Sequence, residues 1–357
     1  MNGLIDWGIA GRIADLAATG DSPDPGDGEA LEAAVDEATG AVEHYTGLES
    51  TEGVPDPEWV SRRQWAQINL DSLRQAIAPL EERLLSGPSL PGPISGGLNA
   101  VLGSLAGAQV GALVGYASRR VLGQYEFPVL GPERRPRLLF VAPNLEEARR
   151  ELGGEPETVL RWIALHEVTH AVHFGAAPWL RDHLRWLANE LLSGSRLALG
   201  PSEVAELAKR AAGTDPRRWL GELWSSDPIT LLAPPESRAL INRTQATMAS
   251  VEGYAEHVMD AAAPQLGEEI GDLRFALERR REDRAPLARL LGWLLGMELK
   301  MRQYRDGKRF CDSVVELAGI EALNGAWADA ESLPTLAELA DPGSWLERTA
   351  AGAQVPV

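Results

Sequence analysis

Apolar residues recur at helical spacing along most of this chain, and Pro and Gly punctuate them. The opening stretch MNGLIDWGIAGRIADLAATG reads as a short amphipathic helix. Residues 20–28 (GDSPDPGDG) are acidic and rich in Pro and Gly, which predicts a connection, and 31–45 predicts the next helix. A loop follows over 49–57. Asp56-Pro57-Glu58 then reads as a helix start, with Asp56 as cap and Pro57 in the first position. That helix runs through Trp59, Trp65, Ile68 and Leu73 towards Leu85, and a Pro/Gly/Ser loop spans 86–97.

Residues 98–117 carry no charge, and Gly103, Gly107, Gly111 and Gly115 recur every fourth position. Such a stripe leaves one helix face smooth, so that a second helix can approach closely. The length is near that of a membrane span. Asn99, Ser104 and Gln109 interrupt the run, however, and the chain offers no second span. A buried helix of a soluble protein is therefore expected rather than a membrane helix.

The apolar run at 137–141 (RLLFV) is the best strand, ended by Pro143. Asn144 then predicts a helix cap, with Glu147 three residues on as its box partner. After Pro178 the pattern is nearly all helical, over 179–192, 202–212, 236–262, 267–281 and 285–301. These elements define a mainly α fold with a minor β component.

One helical segment carries chemistry. His166-Glu167-Val168-Thr169-His170 is an H-E-x-x-H sequence within an uninterrupted apolar-periodic stretch, 158–174. Residues four apart on a helix stand one turn above each other, so both imidazoles can reach one ion while Glu167 lies beside them. That is the ligand pair and general base of a zinc hydrolase. Trp162, Ile163, Leu165, Val172 and Phe174 surround the motif, and burying ionisable groups among them is costly unless something pairs them. The plainer reading is a surface helix with incidental His and Glu. His173 is read as a packing histidine or a residue behind the ligands.

Two histidines leave zinc short of at least one protein ligand. The segment Val251-Glu252-Gly253-Tyr254-Ala255-Glu256-His257-Val258-Met259-Asp260 offers Glu252, Glu256 and His257 between apolar neighbours. One carboxylate of such a set can bind metal while another orients a ligating histidine from behind.

Net charge is −18, which disfavours nucleic acid and anionic membrane as partners. Cys311 is the single cysteine, so neither an intramolecular disulfide nor a cysteine zinc cluster is possible, and a reducing compartment fits. The first residues lack the pattern of a secretory signal, so a cytoplasmic location is expected.

Glu252-Gly253-Tyr254-Ala255 resembles the Glu-Gly-Phe-Ala type of segment found in gluzincin peptidases, in which the glutamate is the third zinc ligand on a separate helix. The resemblance implies Zn2+ held by His166, His170 and Glu252, with Glu256 and His257 behind them. It also implies an oxyanion partner, for which Tyr254, Tyr304 and His257 are candidates. Arg302, Lys308 and Arg309 are candidates to hold a substrate carboxylate. The stretches IDWGIAGRIA, RRQWAQINLDSLR, LGQYEFPVL, LLFVAPN, RWIALHEVTHAVHFGAAPWLRDHL, VEGYAEHVMD and KMRQYRDGKRF extend the likeness over most of the chain. They resemble a family of zinc-dependent metallopeptidases common in actinobacteria, one branch of which is labelled as associated with deazaflavin-coenzyme biosynthesis. The implied architecture is a zincin-like catalytic region, 126–357, with a helical N-terminal region, 1–125, packed on it as one compact unit. The implied activity is cleavage of short peptides. The rival expectations are a non-catalytic zinc-stabilised scaffold that binds a partner, and a peptidase anchored to a membrane by the glycine-striped helix.

Overall fold

The apolar run at 137–141 organises the molecule. A computed structural model describes residues 4–18, 27–85, 93–130, 132–152, 156–194, 235–267 and 301–352. The helices are α1 (Trp7–Ala17), α2 (Gly28–Thr46), α3 (Arg62–Leu85), α4 (Pro93–Ser118), α5 (Ala142–Leu152), α6 (Pro156–Ala176), α7 (Trp179–Gly194), α8 (Pro235–Ala262), α9 (Met301–Ala318), α10 (Ile320–Asn324), α11 (Leu336–Ala340) and α12 (Pro342–Gly352). The strands are β1 (Pro57–Val60), β2 (Gly123–Glu126) and β3 (Arg137–Val141). The fold is mainly α with a small sheet, as expected. The helices expected over 202–212 and over nearly all of 267–281 and 285–301 lie outside the described residues.

The sheet has the order β1-β3-β2. β1 runs parallel to β3, pairing Pro57 with Leu138 and Val60 with Val141. β2 runs antiparallel, pairing Gly123 with Phe140 and Tyr125 with Leu138. Successive side chains of a strand point to opposite faces. Leu138 and Phe140 accordingly join a core with α2, α6, α8 and α9, which contains Val42, Val168, Tyr254 and Phe310. Leu139 and Val141 join a second core with α1, α3 and α4, which contains Ala14, Trp65 and Val114. β3 is covered on both faces, and this is why its sequence is continuously apolar rather than alternating.

The glycine stripe of α4 meets α1. An added Cβ would stand 2.3 Å from the Asp6 carbonyl oxygen at Gly107, 2.3 Å from that of Ala10 at Gly111, and 2.4 Å from Ala17 Cβ at Gly115. Asp6 N–H donates to Gly103 O at 2.9 Å, and the Asp6 side chain caps α1. Ala10 and Ala14 are buried in this contact, so small residues on both helices let the backbones touch. Among the described residues no helix is long and apolar enough to cross a membrane.

Two expected helix starts are corrected. Pro57–Val60 is a strand, because pairing with β3 overrides the cap-like Asp-Pro-Glu signal, and Pro is tolerated at the first residue of an edge strand. The real start of α3 is a capping box one turn later. Ser61 N–H donates to Gln64 Oε1 at 2.8 Å, and Gln64 N–H donates to Ser61 Oγ at 3.1 Å. Asn144 is also not a cap, because α5 begins at Ala142 directly after β3. It is a buried tie: its Nδ2 donates to the Ser118 and Val121 carbonyls at 2.7 and 2.6 Å, and its Oδ1 accepts from Arg62 Nε at 2.6 Å. Glu147 pairs with the same Arg62 guanidinium. β2 was not expected at all.

The contrast between two glycines tests the packing. Gly111→Leu should lower stability by about 1–3 kcal/mol or more, because the side chain has only backbone to displace. Gly40, exposed within α2, has open space around an added Cβ, so Gly40→Ala should raise stability by roughly 0.5–1 kcal/mol. Thermal unfolding of both variants measures the pair, and equal melting points would show that α1 and α4 do not press together as described.

Candidate metal centre

α6 is the helix of the H-E-x-x-H sequence, and it is buried on nearly every side. Ala164, Leu165, Val168, Thr169 and Val172 have almost no exposure. A helix that is apolar all round belongs in a core. Thr169, polar by type, gives its hydroxyl to the Leu165 carbonyl at 2.6 Å. His166 and His170 meet edge to face one turn apart, with ring centroids 4.8 Å apart and planes at 88°.

α8 crosses opposite this face, and glycine permits the placement. An added Cβ at Gly253 would stand 2.2 Å from the Gly307 carbonyl carbon of α9, and one at Gly307 would stand 2.0 Å from the Ala249 carbonyl oxygen. α8 is thus clamped on α9 beside Glu252. Glu252 Oε1 lies 3.8 Å from His170 Nε2. His166, His170 and Glu252 offer ligand atoms that all lie within 4.8 Å of one another. Ligands about 2.1 Å from a tetrahedral zinc stand about 3.4 Å apart. The His170–Glu252 spacing is therefore near what one ion needs, and two imidazole nitrogens with one carboxylate oxygen suit zinc. The set leaves a coordination position for water or substrate, and Glu252 retains 30% side-chain exposure beside the more buried His170.

Glu167 points towards the sheet. Its Oε2 accepts the Tyr125 backbone N–H of β2 at 2.7 Å. Gly123 makes room for it, since an added Cβ there would meet Glu167 Cγ at 2.7 Å and Ile163 Cγ2 at 2.8 Å. The Tyr125 ring stacks on Phe174, centroids 5.9 Å apart. Nothing in Gly123-Gln124-Tyr125-Glu126 marks this partnership in the sequence, because a backbone donor has no residue signature.

The other sequence candidates are distributed around the three donors. Glu256 is half-buried one turn beyond Glu252. His257 faces away into a polar chain: its Nε2 meets Tyr45 Oη at 2.7 Å and its Nδ1 meets Asp312 Oδ1 at 2.8 Å. Lys308 lies 2.6 Å from Asp312 and 2.9 Å from Asp260. Burial works against a charged Asp312, but the hydrogen bonds from Lys308 and His257 outweigh it and lower its pKa. Lys308 is thus committed to these two carboxylates. Tyr254, expected at the oxyanion, gives its hydroxyl to Asn324 Oδ1 at 2.8 Å, and Asn324 Nδ2 donates in turn to the Thr46 carbonyl. Burial raises the Tyr254 pKa above its ordinary value. His173 packs between Tyr254 and Trp327, centroids 4.7 and 4.0 Å away. Neither of its ring nitrogens has a hydrogen-bond partner among the described residues, and burial pushes its pKa down to about 3. The Arg302 and Tyr304 side chains lie outside the described residues.

Comparison with known proteins supplies the family. The model of the zincin-like metallopeptidase family matches residues 5–346. The chain belongs to that family. Membership makes it a metallohydrolase by class and implies a bound metal, typically zinc. A protein of Chloroflexus aurantiacus, whose crystal structure is described as that of a candidate hydrolase with a novel fold, is 28% identical. The match covers 97% of this chain and 99% of that one, with a TM-score of 0.73. No curated protein matches.

His173 sets an acid limit on folding. An unfolded histidine titrates near 6.5 and this one near 3, so the unfolded chain takes up the proton first. The contribution is complete above about 6.5 and is lost as pH falls through the interval down to about 3. In metal-free protein, His173→Leu should flatten the drop in urea midpoint between about pH 7 and about pH 5. An identical drop in wild type and variant would show that His173 is not the buried neutral group described.

Proposed function

We propose that this member of the zincin-like family is a gluzincin-type zinc peptidase acting on short peptides, with His166, His170 and Glu252 as ligands and Glu167 as general base. The observation that carries the proposal is the meeting of Glu252 with the two histidines across the α6–α8 crossing. Zinc held there would polarise a carbonyl and bring the pKa of a bound water near neutrality.

The chain's own groups do the rest. The Tyr125 N–H fixes one carboxylate oxygen of Glu167, which orients the group. Glu167 takes the proton of the attacking water and delivers it to the leaving amine. β2 lies at the sheet edge beside Glu167, and a strand edge is suited to an extended peptide backbone. The burial of α6 favours short or unfolded chains over folded proteins. A net charge of −18 repels acidic peptides at long range, so neutral and basic ones are favoured. The deazaflavin label of one branch of similar proteins supplies no chemistry to this site.

Three variants separate the roles. His170→Ala and Glu252→Ala should lose most of the zinc from purified protein, by elemental analysis. Glu167→Gln should keep zinc and lower turnover by roughly 10²–10⁴-fold, since an amide cannot accept the proton. The assay is a diverse peptide library with zinc-loaded protein, with and without chelator. Zinc bound but no peptide cleaved, with Glu167→Gln indistinguishable from wild type, would leave a non-catalytic zinc scaffold. Absence of zinc from the loaded wild type would sink both.

A further inference from the structure

His166 has an unusual neighbour. Its Nδ1 lies 2.9 Å from the Sδ of Met259. Met259 is 1% exposed, so no water competes for the contact. It sits on α8 seven residues after Glu252, two helical turns along the same face. One face of α8 therefore presents both the carboxylate opposite His170 and the thioether against His166.

A neutral imidazole that ligates a metal through one nitrogen carries its proton on the other, and the partner of that N–H fixes tautomer and ring orientation. Carboxylates, carbonyls and water commonly fill this role. A thioether is a weaker acceptor and carries no charge. We infer that Met259 is the positioning residue of His166: its sulfur accepts the Nδ1–H and so holds Nε2 as the metal-facing nitrogen. This rests on the reading of His166 as a ligand. A sulfur acceptor adds no negative charge behind His166, so Glu252 is the anionic member of the three-ligand set. The ion would keep more of its positive charge for a bound water or carbonyl than it would with a carboxylate behind the histidine.

The test reads the imidazole directly. Long-range proton–nitrogen NMR spectra of metal-free protein at about pH 8, above the ordinary imidazole range, report which ring nitrogen carries the proton. His166 should be the Nδ1–H tautomer in wild type. Met259→Leu keeps an apolar side chain of similar volume but removes the acceptor. It should move His166 towards the Nε2–H tautomer and weaken zinc binding by about tenfold, measured against a competing chromophoric chelator. Met259→Gln, which restores an acceptor as an amide oxygen, should return the Nδ1–H tautomer; Met259→Ile, which also lacks an acceptor, takes the place of the leucine variant if that one fails to fold. An unchanged tautomer with zinc affinity within twofold in Met259→Leu would overturn the inference and leave Met259 as packing. The tautomer signal needs no metal. Failure of the wild type to bind zinc, with the tautomer still responding to Met259, would therefore count against the zinc reading rather than against the contact.

Discussion

Ionisable side chains on a helix buried on nearly every side must find partners or stay neutral, and α6 carries four of them between residues 166 and 173. Leaving one buried polar group unmatched costs roughly 1–3 kcal/mol. Glu167 takes a backbone N–H from β2, His166 lies against the Met259 sulfur, and His170 faces Glu252. His173 finds no hydrogen-bond partner among the described residues, and burial holds it uncharged. The positions of β2 and α8 follow from this requirement. β2 must bring its outward N–H to Glu167, and α8 must lie close enough to present Glu252 and Met259 together. The candidate metal centre is thus where the costs of burial are settled as well as where chemistry is possible.

Close backbone approach meets the geometric side of that requirement, and the chain uses it twice. At α1 and α4 the glycine stripe packs a helix pair on the far side of the sheet. At α8 and α9 the close approaches of Gly253 to Gly307 and of Gly307 to Ala249 set the depth of the helix that bears Glu252. A larger residue at either glycine of the second pair would shift the turn of α8 that bears Glu252. The glycine is adjacent to the carboxylate in sequence because the clamp has to act on that turn of the helix.

Features governed by local spacing were legible from the sequence. His166 and His170 are brought together by helical geometry, β3 is a short apolar run bounded by proline, and the glycine stripe has a fixed period. Features governed by distant partners were not. Pro57–Val60 looks like a helix start until β3 is beside it, and Asn144 looks like a cap until Arg62 and the end of α4 claim its amide. β2 is short and only half-buried along most of its length, so it shows no apolar run. His257 and Tyr254 have the right types for catalysis, but Asp312, Tyr45 and Asn324 occupy their polar atoms. Met259 escaped notice because methionine rarely signals more than packing, although its spacing from Glu252 places it on the same face.

The parallel pairing of β1 with β3 has a consequence for how the molecule assembles. The two strands are joined by α3, α4 and β2, so their ladder closes only after that whole intervening segment has been gathered in. Contacts between residues remote in sequence repay their loop-closure entropy late, and they slow folding. β3 is the wall against which α6 packs, and β2, which steadies Glu167, is itself hung on β3. The pocket lined by His166, His170 and Glu252 would therefore be among the last parts of the chain to take shape, and a metal bound there would follow the collapse of both cores instead of nucleating it.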